Sequence, residues 1–356
     1  MTITNISKML TINSLLLLFC LTLSSCSAIT VQKVAAQGGV HKRDVPDFVR
    51  QYAPVAYLDS TEIYFPSDIG AQINHTKPED TNGTVLTPPA PLTLSDLDSL
   101  NAFNNSGTGV YLTSDEGIEA LPSWFRGVAP VSNGTTAGIV SMAVVTVSKP
   151  NDTLDAFFFY FYAYNQGNWV FNDSALEFGD HVGDWEHNMV RFVNGTPQAV
   201  YYSQHSGGEA FTYNATVKGP DGVRPVTYVA NGTHANYAIP GPHDHTIPDF
   251  NTDVGPLTDE TSMGPFWDPL ASAYLYSYDN GTGVFTAYNG VDPVGWLNFN
   301  GRWGDNQLPD SAKGQVDVFG EARYVAGPTG PNDKGLGRTN VCPDGDECDI
   351  KDSLGP

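Results

Sequence analysis

The chain predicts an all-β fold with minor helices, a β-sandwich or jelly-roll-like single domain, on three observations. Short runs rich in Val, Phe and Tyr recur between Gly, Pro and Asn-Gly breaks, no long stretch carries the apolar period of a helix, and no internal repeat is visible. Strands of this kind expose an apolar face that a second sheet can cover. Strands are predicted, in order, over residues 138–147, 156–164, 187–193, 199–204, 210–213, 226–229 and 284–288. Residues 157–162 read Phe-Phe-Phe-Tyr-Phe-Tyr, with aromatics at odd and even positions alike. Successive side chains in a strand point to opposite faces, so this one is placed centrally and covered on both. A sugar-binding aromatic platform is the functional alternative. Short helices are expected at 47–50, 94–100 and 269–276, and irregular surface segments at 88–91 and 240–248.

Residues 1–28 read as a secretory signal peptide, because Lys8 precedes an apolar run over 15–23 that falls short of the roughly 20 residues needed to span a bilayer. Residues 29–43 are expected as a propeptide ending at the dibasic pair Lys42-Arg43, the alternative being two ordinary basic residues in a loose terminus. Leu23-Ser24-Ser25-Cys26 also resembles a bacterial lipoprotein cleavage box. Against that stand ten Asn-X-Ser/Thr sequons from Asp44 onward, at Asn74, Asn82, Asn104, Asn133, Asn151, Asn172, Asn194, Asn214, Asn231 and Asn280. Sequons are acceptors in the eukaryotic secretory pathway, although Asn-Gly-Thr is also good turn chemistry. The expectation is a secretory-pathway glycoprotein of the vacuole, cell wall or medium, with no transmembrane segment in the mature chain. Residues 44–327 form the predicted sandwich and 328–356 a Gly-, Pro- and Asp-rich tail. Cys342 and Cys348 bracket an acidic loop, read as a local disulfide of an oxidising compartment, with a calcium loop as the sharper alternative.

Four of the 17 basic residues and none of the 39 acidic ones precede Asp44, which leaves 13 against 39, a formal charge of −26. Such a charge repels phosphate backbones, so nucleic acid is not an expected partner. It suits an acidic or cation-rich compartment, or serves solubility alone.

The most informative stretch is Gly179-Asp180-His181-Val182-Gly183-Asp184-Trp185-Glu186-His187, five of whose side chains can ligate a cation. If a strand begins here, Asp184 and Glu186 share one face, and Trp185 and His187 point the other way. Adjacent carboxylates repel unless a cation or a shared proton lies between them. A divalent cation held by His181, Asp184 and Glu186 is therefore expected, with calcium, magnesium, manganese and zinc not distinguished. A turn bearing solvated acids is the plain alternative. His205, in Ser-Gln-His-Ser-Gly-Gly-Glu, and His234, in Gly-Thr-His-Ala-Asn-Tyr, follow predicted strands and could ligate the ion, orient a ligand or bond a loop carbonyl. His243-Asp244-His245 could form a second metal site, Glu209 and Asp305 could serve as outer carboxylates, and Trp267, Trp296 and Trp303 could stack on sugar rings or fill the core.

Several stretches together resemble the fungal and plant family named for vacuolar protein sorting-associated protein sixty-two. They are Tyr52-Ala53-Pro54-Val55-Ala56-Tyr57-Leu58, Tyr64-Phe65-Pro66-Ser67-Asp68, the nine residues from Gly179, the heptapeptide around His205 and Gly232-Thr233-His234-Ala235-Asn236-Tyr237. The match spans roughly residues 47–310 and implies a secretory or vacuolar route without naming a reaction. More distantly, His181, Asp184, Trp185 and Glu186 stand at the spacing of the Gly-His-Arg-His-Asp-Trp-Glu signature of the necrosis- and ethylene-inducing peptide-like toxins. In that β-sandwich family the resemblance implies a divalent cation at His181, Asp184 and Glu186, beside a sphingolipid-headgroup site. Asp173 falls where a further acidic ligand would stand. Asp180 and Gly183 depart from the signature, so toxicity is not implied.

The functional expectation is a cation-dependent binding module for a glycan or lipid headgroup, its hydroxyls completing the coordination shell. The alternatives are a metal-assisted hydrolase in which His205 or His234 moves protons, and a non-catalytic trafficking or cell-surface protein. No Gly-X-Ser-X-Gly elbow, His-Glu-X-X-His helix or phosphate-cradling Gly loop occurs, which counts against serine hydrolase, zincin and nucleotide chemistry.

Overall fold

The aromatic run lies in the strand Thr153–Asn165, and its alternation organises both halves of the core. In a computed structural model, described over residues 44–170, 176–245, 257–318, 320–343 and 348–354, this strand is the fourth of eight in a large sheet. The sheet runs Val284–Ala287, Ala273–Asp279, Met142–Lys149, Thr153–Asn165, His181–Val193, Thr196–Gln204, Gly207–Thr212 and Ile350–Lys351. Neighbours are antiparallel except for the parallel pairs Ala273–Asp279 with Met142–Lys149 and Gly207–Thr212 with Ile350–Lys351. A second sheet of four strands runs Asn236–Tyr237, Val226–Val229, Val55–Leu58 and Phe266–Trp267.

Phe158, Tyr160 and Tyr162 point toward the small sheet and share a core with Ala56, Leu58, Val229 and Trp267. Phe157, Phe159 and Phe161 point the opposite way, into a core closed by Ile69, Leu97, Leu100, Trp296, Leu297 and Trp303. One face is thus sandwiched by a sheet and the other roofed by short helices and loops, which is why the strand needs apolar side chains at every position. Among the described residues no helix is long and apolar enough to cross a membrane.

Several expectations are corrected. Residues 269–276, read as a helix, form a 3-10 turn at Pro269–Ser272 followed by the strand Ala273–Asp279, since Tyr-Leu-Tyr-Ser-Tyr carries the stiff aromatics that suit a pleated surface. Gly241–His245, expected as irregular, pairs antiparallel with Leu257–Thr261. Of the two readings of Trp267, Trp296 and Trp303, core filling is the one observed, since all three are fully buried. The segment from Pro328, read as a tail, buries Leu336, Val341 and Cys342 in the roofed core. Arg338 holds it there, its guanidinium 4.8 and 4.7 Å from the Phe157 and Tyr201 rings. Arg191, clamped on Asp155 by two bonds of 2.7 and 2.8 Å, donates to Thr339 and Asn340 carbonyls as well. Cys342 and Cys348 are paired, with Cα atoms 5.3 Å apart.

The signal peptide, the propeptide, Asn172, Asp173 and the acidic residues between the two cysteines lie outside the described residues. Of the remaining sequons, Asn231 is half-buried and the other eight are exposed.

Where the signature enters its strand, Gly183 takes φ 68°, and a Cβ there would stand 2.2 Å from the Trp303 carbonyl oxygen. Gly183→Ala is therefore expected to destabilise the protein by about 3 kcal/mol, through left-handed strain plus a backbone clash. Urea unfolding checks this, and an unchanged midpoint would remove Gly183 from the account.

Candidate functional site

The strand His181–Val193 pairs residue for residue with the aromatic strand, Asp184 opposite Tyr162 and Glu186 opposite Tyr160. Pleating then sends Trp185 into the roofed core and Asp184 and Glu186 toward the small sheet, as the period of two predicts. Both carboxylates are buried, yet both line a polar cleft of about 540 Å³, together with His181, His205, Thr233 and Lys334.

Asp184 is answered by a buried histidine. His234 Nδ1 lies 3.0 Å from Asp184 Oδ2, and its Nε2 lies 2.9 Å from the Tyr64 carbonyl oxygen. A carbonyl can only accept, so Nε2 carries a proton, and one proton is shared between Nδ1 and Asp184 Oδ2. The ring is stacked 3.7 Å from the Tyr162 ring, with Glu62 Oε2 3.8 Å from Nε2. Burial alone would depress this imidazole, but the bond to Asp184 and the charge of Glu62 hold it above its ordinary value. The backbone is arranged for it. His234 sits at φ 58°, and Glu62 fixes the turn by accepting Gly232 N at 2.8 Å while its other oxygen accepts Ile63 N and Tyr64 N.

Glu186 is bonded to a hydroxyl rather than to a histidine. Burial, then the neighbouring Asp184, raises its carboxyl well above the usual range. Ser203 Oγ donates to Glu186 Oε2 and itself accepts from His187 N at 2.8 Å. His181 Nδ1 lies 2.7 Å from the Gly183 carbonyl oxygen, so Nδ1 bears the proton and Nε2 keeps the lone pair. Burial holds this ring below its ordinary value, in the neutral form.

His205 does not join the acidic pair. Its Nε2 lies 2.6 Å from Asp259 Oδ2, and the bond and charge of that carboxylate raise it against the effect of burial. Asp259 also accepts from Asn168 at 2.9 Å, Thr233 at 2.8 Å and Tyr237 at 2.7 Å. Four donors make Asp259 the fastener of three loops around the cleft. The sequence reading missed it, because Leu257-Thr-Asp-Glu-Thr261 looks like a solvated turn; only its alternate burial marks Asp259 as inward. Glu62 was missed likewise. His187 points into the roofed core beside Phe159, as expected of its position, and Asp305 is buried away from the cleft, accepting Ser114 N at 3.2 Å, with its carboxyl pushed up to about 7 by burial. Glu209 pairs with Lys351 at 2.6 Å, and His243 stacks 3.7 Å from the Tyr237 ring.

The donor chemistry suits a divalent cation: two carboxylates and an imidazole whose Nδ1–H is already committed to a carbonyl, the usual outer partner of a metal-binding histidine. Among the described residues, however, no three His, Cys, Asp or Glu side chains gather into a metal-holding group. His234, with both nitrogens engaged, has none to offer a metal in this state.

An imidazole held high binds a proton that the unfolded chain releases, so its stabilisation is complete below about pH 6.5 and lost as pH rises through the raised value. Glu186 acts in the same sense from its unfolded value upward. His181 and His187, held low by burial, oppose this only below about pH 6.5. The melting temperature is thus expected to fall as pH rises above about 6.5. His234→Ala should cost about 3–5 kcal/mol by leaving Asp184 unpaired, and should flatten that slope. A slope of the same size in wild type and variant would show that His234 is not the proton carrier.

The sequence profile of the family described as vacuolar protein sorting-associated protein 62 matches residues 155–314. TDA6 of Saccharomyces cerevisiae is 36% identical over 327 residues, covering 84% of this chain and 68% of its own length. Vacuolar protein sorting-associated protein 62 of the same yeast is 33% identical over 321 residues, with the same coverages of 84% and 68%. Among solved structures, Necrosis and Ethylene inducing Protein 2 from the agent of cocoa's Witches Broom disease is 12% identical over 55% of this chain and 69% of its own, at a TM-score of 0.26. NLPPya in complex with glucosamine is 12% identical over 65% and 76%, at 0.25.

Proposed function

Since the chain belongs to the vacuolar protein sorting-associated protein 62 family, we propose that it serves the vacuolar route as a binding module, holding a glycan or lipid headgroup in the cleft beside Asp184 and Glu186. The observation that supports this is two buried carboxyl groups on one wall of an open polar cleft, one bonded to His234 and the other raised well above the usual range by burial. A carboxylate accepts hydroxyl protons, and a carboxyl that keeps its proton donates as well as accepts. Neighbouring ligand hydroxyls need that mixture. Lys334 supplies the only lysine or arginine charge among the described lining residues, and would face an anionic headgroup. A divalent cation is a further part of the proposal. His181, Asp184 and Glu186 would hold it, Glu186 having lost its proton, and it would supply direct coordination of ligand hydroxyls.

The test is a glycan and lipid-headgroup array probed with the protein, with and without chelator. Wild type should retain a hydroxyl-rich ligand, and Asp184→Asn and Glu186→Gln should each weaken it about tenfold or more while folding normally. Retention that vanishes with chelator supports the cation; retention that survives it removes the cation and keeps the module. No ligand retained under either condition would sink the proposal.

A further inference from the structure

A second cleft, of about 310 Å³, lies across the Gly167–Asn168 backbone from the first, and those two residues line both. Its apolar surface is supplied by Trp169, 46% exposed, and Ile63, 42% exposed. Of the six tryptophans, Trp185, Trp267, Trp296 and Trp303 are buried and Trp124 is half-buried, with Trp124 stacked 4.9 Å from His75. Trp169 alone is exposed. An isolated apolar residue at the surface carries no message, but this one is held in a fixed orientation. Its indole Nε1–H donates to Glu177 Oε1 at 3.0 Å, and the same oxygen accepts Gln166 Nε2 at 2.8 Å. Glu177 is in turn paired with Arg323. The strand Asn168–Trp169 is locked to Glu177–Phe178, and Gly167 leaves no room for adjustment, since a Cβ there would stand 1.9 Å from the Phe178 carbonyl oxygen.

The rest of the cleft is polar, with one acidic side chain. Amides come from Gln166, Asn168 and Asn231, hydroxyls from Thr61 and Thr258, and a carboxylate from the exposed Glu260. A flat, pre-oriented aromatic face ringed by amides, hydroxyls and one carboxylate matches a sugar ring: its C–H face is apolar, and its rim carries hydroxyls. A lipid chain would leave those polar groups without partners, and a nucleotide phosphate would meet no lysine or arginine among the described lining.

We propose that this cleft is a saccharide subsite in which one sugar ring stacks on Trp169 and hydrogen-bonds Gln166, Thr258 and Glu260. It rests on the proposed binding function only in that the two clefts adjoin, so that one oligosaccharide can fill both. The sugar has two sources. It is a free oligosaccharide, or it is an N-glycan on Asn231, whose side chain borders the same cleft.

Acrylamide quenching of tryptophan fluorescence tests this on the full chain, because Trp169 is the most accessible indole. Mannan-, glucan- and chitin-derived pentasaccharides are titrated in, and in a parallel arm protein made with Asn231→Gln is compared with wild type. Protection by an added pentasaccharide, about tenfold weaker in Trp169→Ala and restored in Trp169→Phe by calorimetry, supports the subsite with a free ligand. Increased quenching in Asn231→Gln that is absent in the Trp169→Ala background supports the chain's own glycan. The absence of both responses overturns the subsite. Binding that is abolished by Glu186→Gln but indifferent to Trp169→Ala overturns the subsite while leaving the proposed function intact; protection that persists in Glu186→Gln shows the reverse independence.

Discussion

The Asp184–His234 contact is the interaction on which the site depends. It brings the turn after the strand Val226–Val229 across onto the strand His181–Val193, linking the small sheet to the large one over the mouth of the cleft. A buried carboxylate without a partner would be expensive, and so would a buried imidazole without one; each makes the other tolerable. The cost reappears as geometry. His234 must adopt a left-handed backbone, Gly232 must precede it in another, and Glu62 must reach across to hold the turn. Removal of any one of these would leave at least one charge without its counterpart.

The fold supplies the rigidity that this contact needs. The strand beneath it is covered on both faces, and its partner strand stacks Tyr162 flat on the His234 ring. Both carboxylates therefore project from a backbone that has little freedom to relax. A proton is the small adjustable element that remains: burial and the neighbouring Asp184 both raise the Glu186 carboxyl well above the usual range.

Much of this was legible in the sequence where side-chain period alone decides. The two-sided aromatic strand, the shared face of Asp184 and Glu186 and the opposite face of Trp185 and His187 follow from alternation, and the residues around Gly179 advertise themselves by composition. What the sequence could not show is pairing at a distance. Glu62 and Asp259 are acids in unremarkable stretches until the chain folds and brings them to 3.8 Å from His234 and 2.6 Å from His205. Trp267, Trp296 and Trp303 are core, as tryptophan in a β domain usually is, whereas nothing in the plain Gly-Asn-Trp around Trp169 marks it as exposed. The segment from Pro328 read as a tail because it has few apolar residues, yet Leu336, Val341 and a guanidinium lying over two rings are enough to seat it.

The same carboxylate pair invites two positive occupants that exclude one another. Asp184 and Glu186 can share one strand face if a metal ion or a shared proton lies between them. His234 bonds the first, burial holds the second well above the usual carboxyl range, and Lys334 stands alongside. A dication entering the cleft would compete with His234 for Asp184 and with the proton for Glu186. Cation binding and acidity are therefore opposed at this site, whatever the ligand. In an acidic compartment the protonated form of Glu186 is favoured; as pH rises that proton is lost, and a cation would neutralise the charge it leaves.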